Sequence, residues 1–324
     1  MKRRSLILWA AALAGAPLLH AQTDRVAQVG YLTSGRAPTP EEWARSPFRS
    51  KLSELGWVEG RNLKIERRSA ATASELSRAA RELSALKLDV VFAGGAPSLL
   101  AAKREIVSTP IVMFTVGDPV ASGWVANLAR PEGNVTGVAG FARDLAGKRV
   151  ALLKEIAPVI RVMAVLGNPA NARLAAIVQD LQERARVSGV ELQLFEVANP
   201  AALAPAFAAL ARARMQAVTD VPDPMMLDQR KQIVELAARH RLPAVYESSA
   251  FVDAGGLIAY GPNYAELSRR AAVYVDKILK GAKPGDLPVE FPIKFELVVN
   301  MKTAKELGIA IPQSVLLRAD RVIE

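Results

Sequence analysis

The stretch DVVFAGGAPSLLAAK, residues 89–103, decides the fold: four apolar residues, Val90 to Ala93, run into two glycines, and a helical pattern follows Pro97. An apolar run of this length is typical of a buried strand, and proline is favoured in the first turn of a helix. The stretch therefore predicts a strand that ends at Gly94-Gly95 and turns at once into a helix. Such a turn either packs the helix tightly on its strand or leaves the first N–H groups of the helix open to a ligand.

The same order of strand, glycine, proline and helix recurs in AVLGNPANARLAA, residues 164–176. Around both stretches, apolar runs of strand length alternate with helical patterns, which predicts an α/β protein with two doubly wound parallel-sheet lobes. The predicted strands are 26–32, 63–67, 89–93, 110–116 and 135–138, then 161–166, 190–197, 215–220, 244–246 and 257–260. The main helices predicted from the second half are 144–156, 170–187, 200–212, 225–240 and 264–279.

The first 21 residues, MKRRSLILWAAALAGAPLLHA, have the pattern of a secretory signal peptide: a basic start, an apolar segment and a small residue at Ala21. A membrane anchor needs roughly 20 apolar residues, and this segment is shorter and contains Pro17. The chain has no cysteine, which excludes disulfides, thiolate chemistry and a lipid-modified cysteine at the cleavage site. We therefore expect an exported periplasmic protein that is not membrane-anchored, and we expect a monomer.

The chain lacks the residues that several classes of enzyme and binding protein require. Outside the predicted signal peptide the only histidine is His240, at a predicted helix end, and the chain has no serine-hydrolase elbow and no zinc-protease motif. Dinucleotide and phosphate-binding glycine motifs are also absent. We therefore predict no catalytic residues, no metal and no cofactor. The net charge of +10 is scattered, with no basic run beyond Arg67-Arg68, so we expect no nucleic-acid partner.

Small and polar residues lie at the carboxyl ends of predicted strands in both halves, where open parallel sheets bind ligands. Six such loops predict a cleft between two lobes. The candidate ligand-binding residues are Thr33, Ser34, Gly94, Gly95, Ala96, Pro97, Ser98, Gly117, Asp118 and Pro119 from the first half, and Asn168, Asp223, Glu247 and Ser248 from the second.

Within this set, TVGDPVASG (residues 115–123) leaves two interpretations of Asp118 open. Asp118 either caps the short helix that follows or binds the ammonium group of a solute, whose carboxylate the helix at Pro97 accepts. Asp223 is likewise either an N-cap or a further acceptor. Tyr31, Tyr246 and Tyr260 are candidate packing groups for an apolar solute, although aromatic residues at strand ends are more often part of the core.

Six segments resemble a known family: GWVEGRNLKIERR (56–68), DVVFAGGAPSLLAAK (89–103), PIVMFTVGDPVASGWVANLARPEGNVTGV (110–138), AVLGNPAN (164–171), FVDAGGLIAYGPNYAELSRRAAVYVDKILKG (251–281) and KFELVVNMKTAKELGIAIPQSVLLRADRVIE (294–324). They are similar to periplasmic substrate-binding proteins of ABC transporters, in the branch that includes tryptophan- and phenylalanine-binding members. The resemblance covers nearly the whole chain after the signal peptide, in order.

The resemblance implies the type I periplasmic-binding-protein fold, in which two α/β lobes close by hinge motion on a solute. It implies an N-terminal lobe of residues 22–139 and 262–290 and a C-terminal lobe of residues 140–261 and 291–324. The crossing segments would place hinge residues at Gly137, Gly140, Gly261, Pro262 and Pro292. A permease and an ATPase are the implied partners.

The leading hypothesis is a receptor that binds a small organic solute, an amino acid or an aromatic carboxylate, and delivers it to an ABC importer. A sensory receptor of the same fold, which passes its signal to a membrane partner, is the first alternative. A third hypothesis is an enzyme that uses carboxylates such as Asp118 and Glu247 in the same cleft. Turnover of the bound compound would separate the enzyme from the two receptors.

Overall fold

The computed structural model describes residues 25–140, 145–171 and 174–324, so the predicted signal peptide and Asp144 lie outside the described residues. The first sheet has five strands in the order β2-β1-β3-β4-β5, and every neighbouring pair is parallel. The strands are β1 (Ala27–Ser34), β2 (Leu63–Ala70), β3 (Val90–Gly94), β4 (Ile111–Val116) and β5 (Val135–Ala139).

Helices cover both faces of this sheet, which explains why a strand such as β3 is apolar along its whole length. The helices of the first half are α1 (Pro40–Ala44), α2 (Pro47–Glu54), α3 (Ala73–Ser84) and α4 (Ala96–Glu105). α3 and α4 bury Leu83 and Leu99 on one face, and α2 packs Phe48 and Leu52 on the other. Thr72 and Glu75 begin α3 with a capping box.

The second sheet has seven strands in the order β12-β11-β10-β9-β8-β6-β7, and all pairs are parallel except β10 with β11. They are β6 (Val162–Gly167), β7 (Glu191–Glu196), β8 (Val218–Asp220), β9 (Ala244–Tyr246), β10 (Ile258–Pro262), β11 (Phe295–Asn300) and β12 (Arg321–Ile323). The predicted fold class of two α/β lobes is confirmed.

The helices of the second half are α5 (Leu145–Ile156), α6 (Leu174–Val187), α7 (Leu203–Arg212), α8 (Pro224–Asp228), α9 (Arg230–Arg239), α10 (Ser249–Asp253), α11 (Tyr264–Leu279), α12 (Met301–Leu307) and α13 (Gln313–Leu316). α5 and α6 cover one face of the second sheet, and α7, α9 and α10 cover the other. α11 instead returns to the first sheet and packs Leu267 and Tyr274 beside α2.

Three chain segments connect the lobes, and described residues next to these segments are hydrogen-bonded to one another. The first follows β5, the second joins β10 to α11, and the third leads from α11 to β11. Glu290 N–H donates to Gly137 O at 3.0 Å, and Asn263 N–H donates to Lys294 O at 3.3 Å. The lobe boundaries and the hinge role of the predicted residues stay predictions.

The structure corrects several predicted boundaries. Residues 225–240 form two helices, α8 and α9, which meet at Gln229. Residues 200–202 form a 3-10 turn before α7, and β8 begins at Val218, three residues after the predicted start at 215. α6 begins at Leu174 among the described residues, and the strand predicted for 257–260 extends through Pro262. Apart from the break at Gln229, each error lies at an element end, where packing overrides local pattern.

Candidate functional site

The turn after β3 requires glycine. Gly95 is the N-cap of α4 and has a φ of +83°, a conformation that side chains with a Cβ rarely adopt. A Cβ there would lie 3.3 Å from Ser34 Oγ and 3.8 Å from Pro224 Cγ. α4 therefore begins at Ala96, one residue before the predicted Pro97. Its first N–H groups have no acceptor within the helix.

Two serine hydroxyls at this turn are buried and make no hydrogen bond within the protein. They are Ser34 Oγ at the end of β1 and Ser98 Oγ in the first turn of α4. Thr33 and Ser34 lie inside β1, which corrects their predicted place in a loop, because the strand pairs with β2 as far as Ala70. Thr33 Oγ1 lies 2.9 Å from Ser69 Oγ. Buried hydroxyls without partners are costly, so the two serines are candidates for contact with a ligand.

The Asp118 loop is shaped by an irregularity in β4. The register shifts between Phe114 and Val116, and the intervening Thr115 has a φ of +52°, a strained conformation that clusters at functional sites. Gly117 and Pro119 flank Asp118, whose Oδ1 accepts hydrogen bonds from the N–H groups of Val120 (3.1 Å) and Ala121 (3.0 Å). Residues 119–123 form a turn, so the predicted short helix after Asp118 is absent, and this oxygen holds the N–H groups of that turn.

In the second lobe, Asn168 and Asp223 brace each other. Asn168 Nδ2 lies 3.3 Å from both Asp223 carboxylate oxygens, and Asp223 Oδ1 accepts from Met225 N–H at 2.9 Å as the N-cap of α8. Ser248 Oγ accepts from Ala250 N–H at 3.3 Å and caps α10. All three of these predicted residues therefore hold the ends of elements at the cleft edge.

A buried charged cluster lies below these caps, and sequence patterns had identified only Glu247 of its members. Glu247 accepts a hydrogen bond from Tyr264 Oη, and Arg149 Nη1 lies 3.5 Å from Tyr260 O. Asp220, the last residue of β8, is 1% exposed, and neither of its carboxylate oxygens makes a hydrogen bond of acceptable geometry. All three charged side chains of the cluster are buried: Arg149, Asp220 and Glu247. Water therefore screens the interactions between their charges only weakly.

Burial raises the pKa of both carboxyl groups. The pKa of Asp220 rises from 3.8 to about 6, against the opposing effect of Arg149 and weak backbone interactions. The pKa of Glu247 rises from 4.5 to about 7 through burial and then the nearby Asp220 carboxylate, while Tyr264 and Arg149 oppose the rise. When both carboxyl groups are ionised, the cluster therefore carries two negative charges and only the one positive charge of Arg149.

The lobes contact each other at the mouth of the cleft. Arg36 N–H, in the loop after β1, donates to Asp228 Oδ2 at the end of α8 at 3.0 Å. Pro224, at the start of the same helix, faces Gly95. Tyr264 and Glu247 form a further hydrogen bond between the lobes. Arg36 and Asp228 are 192 residues apart in sequence, which is why sequence patterns missed this pair.

The three tyrosines predicted as packing groups for a solute differ in how deeply they are buried. Tyr31 stacks on Phe92 with ring centroids 4.6 Å apart, and Tyr246 stacks on Phe251 at 4.5 Å, so both belong to the aromatic core. Tyr260 is only partly buried, beside Phe295. Among the residues that the structure describes, no group of three or more histidine, aspartate or glutamate side chains is arranged to hold a metal ion.

Two α/β lobes joined by three segments, with polar side chains where the strands end at the cleft, define a type I periplasmic binding protein. The chain belongs to the family of ABC transporter substrate binding proteins, whose sequence profile matches residues 42–323. Proteins of this family bind small organic solutes outside the cytoplasm. Within residues 25–140, 145–171 and 174–324, no helix combines the length and hydropathy that a membrane span requires.

Three relatives illustrate the likeness. A tyrosine-binding protein from Clostridioides difficile (strain R20291) is 24% identical over 265 residues, which cover 82% of this chain and 76% of the relative. The ABC domain from Streptococcus pneumoniae in complex with L-Trp has a TM-score of 0.83, with 25% identity over 92% of this chain and 99% of that one. The ligand-free, open structure of a substrate binding protein from Clostridium difficile has the same identity and the same coverage of both chains, yet a TM-score of 0.66.

This protein fits the L-Trp complex better than the ligand-free, open structure. Identity and coverage are equal, so sequence divergence does not explain why the open structure fits less well. The direct contacts between α8 and the first lobe agree with the better fit to the L-Trp complex. The lobes of this protein are therefore close together at the mouth of the cleft.

Proposed function

We propose that this chain is a periplasmic receptor that binds a small carboxylate-bearing solute, an amino acid or an aromatic acid, and delivers it to an ABC importer. The lobes would separate to admit the solute and close over it, and the closed pair of lobes would be the shape that the permease recognises. Bound tryptophan and tyrosine in the names of two relatives support this class of solute.

The observation that carries the proposal is the pair of buried, unpartnered hydroxyls of Ser34 and Ser98 at the start of α4. α4 has ten residues, so its N-terminus carries the partial positive charge of a regular helix. Hydroxyl and N–H donors at such a position suit a carboxylate. Gly95 lets the backbone approach a solute, and Pro224 of the opposite lobe closes over the same point.

A Ser98→Ala variant tests the carboxylate site. Removal of one donor should weaken binding of a carboxylate solute by about 5- to 100-fold, which corresponds to about 1–3 kcal/mol for a hydrogen bond to a charged group. The unliganded variant should be at least as stable as the wild type, because it loses a buried hydroxyl that has no partner. Calorimetric titration and urea unfolding measure the two effects.

Ser248→Ala provides the matched control. Its hydroxyl is also buried, but it caps α10, so this variant should lose stability by about 1 kcal/mol in the unliganded state. Equal affinity of wild type and Ser98→Ala for every carboxylate that binds would remove α4 from the site. Delivery to an importer is tested separately, by uptake of the bound solute into cells that produce or lack this chain.

A further inference from the structure

Asp220 is a buried carboxylate to which the described residues donate no hydrogen bond of acceptable geometry, and the nearby Arg149 only partly offsets the effect of burial on its pKa. It is 1% exposed, and both carboxylate oxygens lack a hydrogen bond in the described structure. Each other member of the cluster has one, because Glu247 accepts from Tyr264 and Arg149 reaches the carbonyl oxygen of Tyr260. A buried carboxylate without hydrogen bonds is strongly disfavoured, so its position favours a further partner that comes from outside the chain.

The groups that face Asp220 come from every element around it. Arg149 approaches from α5, Asp223 from the start of α8, Glu247 from the end of β9 and Tyr264 from α11 of the other lobe. Of these groups only Arg149 is cationic, and it shares the site with three carboxyl groups. The cluster therefore has fewer positive than negative groups. A cationic group that completes it has to be small enough to fit a closed, buried site.

Asp220 lies at the same cleft as the carboxylate site. It ends β8, and the chain continues through Val221 and Pro222 to Asp223 and to Pro224, which faces Gly95 of the first lobe. The donors at α4 and the unpartnered acceptor at β8 therefore lie on opposite walls of one cleft. A solute between them would present an anionic group to the first lobe and a cationic group to the second.

We propose that Asp220 binds the protonated amine of the solute and so selects amino acids over carboxylates that lack an amine. The inference rests on the proposed function and narrows its solute class. Asp118, the residue favoured by the sequence for this role, uses Oδ1 to accept from Val120 and Ala121, and it lies on the same lobe as the carboxylate donors. Asp220 ends a strand of the second sheet and so belongs to the other lobe.

The burial of Asp220 supports the same assignment. Its raised pKa measures how poorly the unliganded site compensates the carboxylate charge. An ammonium group beside it would favour the ionised form, so binding of an amino acid should release a proton below about pH 6. Binding of the corresponding acid without an amine should not.

The test compares solutes that differ only in the amine. Calorimetric titrations would use L-phenylalanine with 3-phenylpropanoate, L-tyrosine with 3-(4-hydroxyphenyl)propanoate, L-tryptophan with 3-(indol-3-yl)propanoate and L-leucine with 4-methylpentanoate, against wild type, Asp220→Asn, Asp118→Asn and Asp253→Asn. In each pair that binds, the wild type should bind the amino acid about 10- to 100-fold more tightly than the acid without the amine. In Asp220→Asn that ratio should fall to within about 3-fold, whereas Asp253→Asn, an exposed aspartate on α10, should keep the wild-type ratio.

The outcomes separate the two proposals. Equal binding of both members of each pair by the wild type, an unchanged ratio in Asp220→Asn, or loss of the ratio in Asp118→Asn alone overturns the assignment of Asp220 and leaves the receptor standing. Absence of binding by every probe overturns the proposed function and this inference with it. Urea unfolding of Asp220→Asn confirms that the variant is folded, and a second variant, Asp220→Ser, repeats the comparison without an amide.

Discussion

Asp220 should make the unliganded protein less stable as the pH rises from about 4 to about 7. In the unfolded chain its carboxyl group ionises near pH 3.8, whereas burial raises its pKa in the folded protein to about 6. Between these values the folded protein binds more protons than the unfolded chain, so the free energy of unfolding decreases with rising pH. Above the folded pKa both states are ionised, and this contribution becomes constant.

The size of the effect follows from the pKa. A rise from 3.8 to about 6 corresponds to about 3 kcal/mol in full, of which about 1.4 kcal/mol falls between pH 5 and pH 8. Glu247, whose pKa rises to about 7, acts in the same direction, and the two carboxyl groups titrate as a pair. Between pH 5 and pH 8 the free energy of unfolding of the wild type should therefore decrease by more than the contribution of Asp220 alone.

Urea unfolding without ligand, at pH 5 and pH 8 and constant ionic strength, measures the difference. Asp220→Asn should remove at least about 1.4 kcal/mol of the pH dependence, because the variant loses its own titration and the repulsion that raises the pKa of Glu247. Glu42 and Glu54 do not interfere, since their ion pairs lower their pKa values to about 2. Asp253→Asn serves as the exposed control.

Two results would refute this reasoning. The first is wild-type stability that stays level or increases between pH 5 and pH 8. The second is an Asp220→Asn variant with the wild-type dependence on pH. At pH 8 the variant should also be no less stable than the wild type, which is unusual for a polar replacement in a core, because it removes an uncompensated buried charge.

Three further predictions concern contacts between the lobes and beside the segment that joins β10 to α11. Asp228→Ala removes the acceptor of Arg36 N–H and should release solute about 5-fold faster in stopped-flow experiments, with association unchanged; an unchanged release rate would show that the contact does not hold the closed state. Gly261→Ala should destabilise the protein by more than about 3 kcal/mol in urea unfolding, because its Cβ would lie 1.7 Å from Glu247 O, and a near-neutral effect would contradict that packing. Tyr264→Phe removes the hydrogen bond that lowers the pKa of Glu247, so the pH dependence of stability should extend to higher pH; a shift to lower pH would contradict the assigned hydrogen bond.

The sequence predicted those parts of the fold that depend on local pattern. The apolar run before Gly94-Gly95 predicts a strand that ends at the glycines, and Pro97 predicts the start of α4 to within one residue. The helix α11 was predicted with its observed bounds because its apolar stripe continues for sixteen residues without a break. Whether Asp118 and Asp223 cap a helix or face a solute depends on geometry that residue types alone do not contain.

The charged cluster was largely missed because its members come from distant parts of the chain. Arg149 lies in an ordinary helical pattern, and Asp220 ends a short apolar strand, where a polar residue usually marks the start of a loop. In the fold, β8 pairs Asp220 with Leu166 of β6, so Asp220 lies among buried apolar residues. Only the fold reveals this pairing, because β6 and β8 are separated by β7 in sequence.

The two walls of the cleft differ in the kind of polar group that they offer. The first lobe contributes donors, the hydroxyls of Ser34 and Ser98 and the N–H groups of α4, whereas the second contributes the unpartnered acceptor Asp220. A ligand favours closure only to the extent that it binds the closed state better than the open one. A solute with one charged group satisfies one wall and leaves the other buried and uncompensated. On the proposed assignment of Asp220, a zwitterion satisfies both walls at once, so closure itself would select amino acids.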